Sequence, residues 1–368
     1  MNNPFTPSFG IVPPYLAGRA SILQEMKKAF SNWPGDPNLS SILIGPRGSG
    51  KTALLSCIGD EAKKQGWIVV DTVCTEEMLE DILQNSLSVA AEHIDKKEKT
   101  HLTGLTLGGF LGLSWAENPS SELSWRMKMR ELLRELKNRD IGLLITIDEL
   151  RADLPEMIQL ASSYQLFKRE GDKVALAMAG LPVNVSDLIS NKEVSFLRRA
   201  RQKHLDRIPD PDVRNAFRRT VESSGKMIDP EALSLAVKAT DGFAYMMQLI
   251  GYSIWEESGS RDHINKEDTS RGIEYAREDF RTGVLVNTWR ELSAGDRKFL
   301  AAMLQDEDGS TLTNVAKRLD KTTGYASTYK KRLEHAGVIE QRVDDTLEFA
   351  LPGMREYAAE QFAGQSRK

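Results

Sequence analysis

The stretch "GPRGSGKT", Gly45 to Thr52, decides how the chain reads. Its spacing, G-x-x-x-x-G-K-T, is the P-loop pattern. Backbone N–H groups of a glycine-rich turn meet the α- and β-phosphates, a lysine neutralises the β/γ oxygens, and a hydroxyl ligates Mg²⁺. The cradle here is Gly45, Pro46, Arg47, Gly48, Ser49 and Gly50, with Lys51 as the cation and Thr52 as the hydroxyl. Three glycines let the backbone curl without a Cβ in the way. The flanks agree. "LSSILIG" before the motif reads as a short buried strand and "KTALLSCIGDEAKKQG" after it as an amphipathic helix, the strand-loop-helix order that phosphate binding needs.

At 368 residues with 40% hydrophobic content, the chain can bury a sizeable core, and its length suggests two or three domains. A net charge of -4 excludes general polyanion attraction, so any nucleic-acid contact must come from a local basic face. Cys57 and Cys74 form neither a metal-ligand spacing nor a disulfide framework, and five scattered histidines suggest no metal centre. A reducing, cytoplasmic setting fits best. "MNNPFTPSFGIVPPYLAG" has no basic n-region and no apolar h-region, so no export signal is expected.

"LTGLTLGGFLGLSWA", Leu102 to Ala116, falls short of the ~20 apolar residues a membrane span needs and is broken by Gly, Thr and Ser. No membrane partner is expected. The alternation of Leu105 and Leu107, then Gly108-Gly109, then Leu111, Leu113 and Trp115 reads as a hairpin inserted at about 96–120. A partner-binding loop is the alternative, because stretches this apolar are often contact sites.

Buried-strand patterns fall at Ser41 to Ile44, Trp67 to Val73, Leu143 to Ile147 and Val174 to Ala179, with a more polar candidate at His204 to Ile208. Helical patterns separate them at Glu76 to Ile94, Glu122 to Lys137 and Leu154 to Arg169. This alternation argues for an α/β fold with a parallel sheet covered on both faces and a ligand at the carboxyl ends of its strands. After Asp210 helical patterns run to about Arg281, with Phe243, Met247, Ile250 and Ile254 on one core-facing side. From about Arg290 the order is helix, helix, helix and a hairpin around Asp344-Asp345, which reads as a winged helix-turn-helix.

"GLLITIDEL" supplies the second half of a nucleotide site. Apolar residues lead into Asp148 and Glu149, so a buried strand ends in two carboxylates. Asp148 is placed to hold Mg²⁺ through a water, and Glu149 to orient and deprotonate an attacking water. "FLRRARQK" offers Arg198 and Arg199 as candidates for a cation delivered to the γ-phosphate, against the alternative of a solvated basic helix end. In the C-terminal region Ala326, Tyr329, Leu333 and Ala336 line one side of a would-be recognition helix. Thr323, Ser327, Lys330 and Lys331 lie on or near the other, and Arg342 is in the wing. Such a face suits phosphates and base edges in a major groove, but Asp344 and Asp345 at the wing tip would repel a DNA backbone.

Taken together, the chain resembles AAA+ ATPases of the initiator-like group that grades into the STAND signalling ATPases, closest to bacterial proteins with a C-terminal winged helix. The likeness runs over nearly the whole length. "YLAGRASIL" resembles the Gly-Arg box of that group, which implies that residues near Val12 and Leu16 flank adenine and that Arg19 braces the site. "AMAGLP" is similar to the segment that ends the fourth core strand, and "TDGFAYMMQLIG" to the lid helix. The resemblance implies a P-loop domain over 1–208, a helical lid over 209–283 and a winged helix domain over 284–368. Two departures stand out. "LAMAGLP" lacks the usual polar sensor residue, and "AYMMQLIGYSIW" lacks a sensor arginine, so slow hydrolysis is expected. The reading is an ATP- and Mg²⁺-dependent switch that couples nucleotide state to double-stranded DNA, with nucleotide-dependent self-association. The alternative is a signalling or assembly ATPase whose winged helix and apolar insertion bind a protein.

Overall fold

The computed structural model describes residues 2–8, 10–98 and 125–365. Most of the hairpin expected at about 96–120, including Leu102 to Trp115, lies outside them. After α1 (Ala20–Ser31), β1 (Ser40–Ile44) and α2 (Lys51–Lys64) form the P-loop unit. Then come β2 (Ile68–Val73), α3 (Met78–Glu98), α4 (Trp125–Asn138) and β3 (Leu143–Asp148). α5 (Pro155–Arg169), β4 (Val174–Gly180), α6 (Pro182–Ser190) and β5 (Arg201–His204) complete the core. The five strands form one parallel sheet in the order β2-β3-β4-β1-β5.

Strand alternation splits the apolar side chains between two layers. Ile42, Ile68, Val70, Ile145, Ile147 and Met178 pack under α3, α4 and α5, while Leu43, Val69, Leu144, Ala177 and Ala179 pack under α1 and α2. The two strands whose ends carry the motifs, β1 and β3, flank β4 in the sheet, so Gly45 and Asp148 emerge on the same edge.

The polar strand expected at His204 to Ile208 is corrected: β5 is Arg201–His204, paired with Ser41 to Ile44. It is the edge of the sheet and largely exposed, so its polar residues are tolerated. Leu205 and Ile208 are buried beyond its end. The Ile208 N–H donates to Gly242 O (2.8 Å), leading the chain into the next unit.

That unit contains α7 (Asp210–Ser223), β6 (Met227–Ile228), α8 (Pro230–Thr240), α9 (Ala244–Ser258), β7 (His263–Ile264) and α10 (Lys266–Phe280). A π-helical turn, Arg281–Leu285, continues α10 into α11 (Val286–Glu291). There follow α12 (Ala294–Met303), α13 (Leu312–Arg318), α14 (Thr323–His335), the antiparallel hairpin β8 (Ile339–Gln341) and β9 (Leu347–Phe349), and α15 (Met354–Gln365). This is the three-helix-and-hairpin order expected from the sequence, with the turn at Asp344-Asp345 held by the Arg342 N–H to Thr346 O (2.8 Å).

One apolar cluster runs through both helical units, from Val213 to Ala358, and it also takes in Phe5 from the N-terminal segment. Phe5 stacks obliquely on Phe217 with ring centroids 4.9 Å apart. It also fills a notch that only a glycine leaves open, since a Cβ on Gly251 would sit 2.2 Å from its ring. Among the described residues, no helix is long and apolar enough to cross a membrane.

Candidate functional site

The P-loop leaves β1 at Gly45 and turns through Gly48 (φ 77°) and Gly50 (φ 89°), conformations that favour glycine. Lys51 opens α2 and is 6% exposed. Its Nζ donates to Gly45 O (3.0 Å) and Pro46 O (2.9 Å), so the ammonium is parked on the carbonyls of its own loop. Burial lowers its proton affinity, against the opposing charges of Glu149 and Asp148. Ser49 Oγ is buried with no hydrogen-bond partner, a polar atom left free within the cradle.

Asp148 stands at the end of β3, and its Oδ2 accepts from Thr52 Oγ1 at 2.5 Å. Two hard oxygen donors from separate motifs thus converge, which fits a Mg²⁺ ion that takes few protein ligands and completes its shell with phosphates and water. Glu149 has φ 54°, unusual for a non-glycine residue and a sign of a position held by its surroundings. Its N–H donates to Asp148 Oδ1 (2.9 Å), and Leu150 N–H to Ala179 O (2.9 Å).

A cavity of about 510 Å³ opens over these groups. Gly48 to Thr52 and Glu149 form its floor, the N-terminal segment one wall, and Phe243 to Gln248 another. Leu16 and Arg19 line it as expected, while at Val12 the neighbours Ile11 and Pro13 do so instead. Arg19 donates to Asp206 O (2.9 Å), and burial lowers its proton affinity against the charges of Asp206 and Asp212. The start of α9 sits directly on the P-loop. Tyr245 N–H donates to Gly48 O (3.0 Å), and a Cβ on Gly48 would lie 3.2 Å from Phe243 and Tyr245.

The end of β4 is apolar throughout, so no polar side chain from Ala177 to Gly180 reaches the cavity. Arg198 and Arg199 end a short 3₁₀ helix, Lys192–Arg199, and neither lines the cavity. Arg198 donates to Ile189 O (2.9 Å).

The five C-terminal candidates separate into two groups. Thr323 and Lys331 are exposed and Ser327 is half-buried. Lys330 pairs with Glu334 (3.5 Å) and donates to Gln341 Oε1 (2.5 Å), and Arg342 pairs with Glu348. The partners of Lys330, on the helix, and of Arg342, in the wing, were not legible in the sequence, which offered both as candidates for DNA contact.

Contacts between distant segments were also beyond sequence reading. The last turn of α14 docks on the core at two points. His335 Nδ1 lies 2.7 Å from Asn184 Oδ1, and Asn184 Nδ2 donates to Leu150 O (2.7 Å), next to Glu149. At Gly337, just past the helix (φ 69°), a Cβ would sit 3.2 Å from Arg47 Cδ of the P-loop. The C-terminal module thus lies beside Arg47 of the P-loop and is linked through Asn184 to the loop after β3.

The hairpin faces the core across a second cleft of about 490 Å³, lined by Arg19, Ser49, Arg207, Glu340, Arg342 and Glu348 among others. Glu340 stands opposite Glu348 in the hairpin register. Burial first, and the Glu348 charge second, push the Glu340 carboxyl up to about 7 from its ordinary 4.5. Between those values the folded chain holds a proton that the unfolded chain releases, so stability falls as pH rises through this window and the penalty is complete above it. Glu340→Gln is expected to raise the melting temperature at pH 8 and leave it nearly unchanged at pH 5. An equal shift at both pH values would contradict this assignment.

Comparison with known proteins agrees with the fold. The domain family described as "Domain of unknown function (DUF8462)" matches residues 282–358. No curated protein matches the chain. Among solved structures, the Walker-type ATPase PABY2304 of Pyrococcus abyssi is similar at 15% identity and a TM-score of 0.65, over 94% of this chain and 96% of that one. The ORC2 protein of Aeropyrum pernix, solved in ADPNP-ADP complexes, is similar at 14% identity and a TM-score of 0.59, over 98% of each chain. At these identities the likeness is one of architecture: the chain shares with these proteins an α/β P-loop fold with a five-stranded parallel sheet and a helical C-terminal region.

Proposed function

We propose that the protein is an ATP-binding and slowly hydrolysing switch whose nucleotide state sets the position of a C-terminal winged helix, and through it the binding of double-stranded DNA. The functional units are the P-loop domain (1–208), the lid (209–283) and the winged helix (284–368). The observation that supports the coupling is the link from His335 of α14 through Asn184 to the Leu150 carbonyl, next to Glu149, with Gly337 just past the helix close to the Arg47 side chain of the P-loop.

In this reading Lys51 leaves Gly45 O and Pro46 O for the β/γ oxygens of ATP, and the P-loop N–H groups hold the phosphate chain. A Mg²⁺ ion on Thr52 and Asp148 would supply further neutralisation of phosphate charge. Glu149 orients a water toward the γ-phosphorus and accepts its proton as the water oxygen bonds to phosphorus and ADP departs. The lid start, Phe243 to Tyr245, closes the site against bulk water. Slow turnover follows from the apolar end of β4 and the absence of an arginine from α9, which leave the γ-phosphate with few partners.

Arg47 and the Glu149 loop must adjust to the phosphates, and α14 rests on both. ATP thereby shifts α14 off the core, and its exposed side, with Thr323 and Lys331, is presented to DNA. His335→Ala removes the Asn184 anchor without touching the cavity. In fluorescence anisotropy with duplex DNA, it is expected to raise affinity in the nucleotide-free state about tenfold, toward the ATP level of the wild type. A nucleotide dependence identical to the wild type would reject the coupling.

A second reading, a protein partner for the winged helix, is favoured by the internal pairing of Lys330 and Arg342 and by the acidic hairpin tip. Lys321→Glu/Lys331→Glu separates the two. Duplex retention is lost if DNA is the partner and unaffected if it is a protein.

A further inference from the structure

We propose that a proton on Glu340 holds the β8-β9 hairpin against the core and lid, and that ionisation of this carboxyl loosens the docking, independently of any bound nucleotide or nucleic acid. The hairpin register sets Glu340 directly opposite Glu348. Like charges in such a cross-strand pair repel. In water the repulsion is screened, but here the pair lines the cleft of about 490 Å³ that faces Asp206, Arg207 and the turn Asp241 to Phe243.

The arginines of this cleft already have other partners. Arg342 pairs with Glu348, and Arg19 donates to Asp206 O (2.9 Å). Arg207 is held three ways: it donates to Asp241 O (2.9 Å), pairs with the Asp241 carboxylate, and lies over the Phe243 ring at 5.7 Å. α14 also packs on β8, bringing Lys330 and Glu334, which pair with each other. Lys330 meets Gln341, whose side chain is on the opposite face of the strand from Glu340. An ionised Glu340 therefore faces Glu348 beside it and Asp206 across the cleft, with Arg207 as a shared counter-charge. A protonated Glu340 is neutral and can donate to Glu348.

Burial is the largest cause of the raised proton affinity of Glu340, ahead of the Glu348 charge; Asp206 adds to it and Arg207 opposes it. Glu348 travels with the hairpin, whereas the cleft wall, Asp206 and Arg207 are met only in the docked state. A hairpin swung away from the core returns Glu340 to water and toward its ordinary 4.5. Below about 7 the docked state thus keeps a proton that the open state releases, so docking weakens as pH rises toward 7 and levels off above it. A second titratable group at the docking surface, His335, has its Nε2 3.6 Å from Asp187 Oδ2. A charge on that ring also favours docking in acid, so the two groups must be separated by mutation.

Double electron–electron resonance on the full chain without nucleotide reads docking as a distance. Nitroxides are placed at Val343→Cys, exposed at the hairpin tip, and at Asn32→Cys, exposed after α1. Cys57→Ser is included, which leaves only the buried Cys74. The ratio of docked to open distances is expected to fall about tenfold between pH 5.5 and pH 8. In Glu340→Gln, whose amide keeps a donor and cannot ionise, the ratio is expected to change by less than about twofold. His335→Gln is expected to keep most of the fall. A ratio independent of pH in the labelled parent, or one pH profile shared by the parent and Glu340→Gln, overturns the proposal. So does a pH dependence lost in His335→Gln and kept in Glu340→Gln, which assigns the proton to the histidine.

Discussion

Lys51→Ala is expected to lower ATP affinity at least about 100-fold while leaving the fold intact. The ammonium is buried at the start of α2, held by two P-loop carbonyls and flanked by Asp148 and Glu149. In the absence of nucleotide its removal leaves two carbonyls in search of partners, a modest cost beside the packing of the α/β core. In the complex it removes a charge-assisted contact to the β/γ oxygens and leaves two carboxylates facing them unopposed, a loss of roughly 3 kcal/mol or more. Equilibrium titration, with the melting curve of the nucleotide-free protein as a control, measures both. Unchanged affinity would refute the phosphate-binding role of Gly45 to Thr52.

Glu149→Gln is expected to cut turnover by about 10²- to 10³-fold and leave ATP affinity within about threefold of the wild type. The amide keeps the shape of the carboxylate at a position whose backbone, φ 54°, is fixed by Asp148 Oδ1 and by the Leu150 link to β4. Only the capacity to take a proton is lost. Single-turnover hydrolysis reads the chemical step directly, and persisting turnover would assign the general base to another group.

What the sequence made legible follows the range of the interactions. Gly45 to Thr52 and the Asp148-Glu149 pair are read from a few consecutive residues, because each motif sits where an apolar run ends and the chain must turn. Four core strands were placed within a residue or two for the same reason. β5 was displaced because an edge strand is exempt from the apolar rule, so no apolar run marks where Arg201–His204 begins and ends. Phe5 is 246 positions from the Gly251 notch it fills, and His335 is 151 from Asn184. No local periodicity encodes such pairs. The spacing of α14 identified its buried face correctly, with Ala326 and Leu333 fully inside, but could not reveal that Lys330 turns back to Glu334 and Gln341.

These unforeseen contacts are the ones on which the proposed coupling rests. Arg47 of the P-loop lies beside Gly337, and Leu150, just after the strand that ends in Asp148, is linked to α14 through Asn184. In the proposed coupling, a change at either loop is felt at the end of the same helix. Packed contacts of this kind switch between discrete arrangements rather than deforming gradually, which is what a two-state device needs.

The most direct measurement is the affinity of Glu149→Gln for duplex DNA, by fluorescence anisotropy at a fixed salt concentration, with Mg·ATP, with Mg·ADP and without nucleotide. The account predicts binding at least about tenfold tighter with Mg·ATP than in the other two states. Equal affinity in all three would contradict it, and would leave the site at Gly45 to Thr52 without a hold on the C-terminal module.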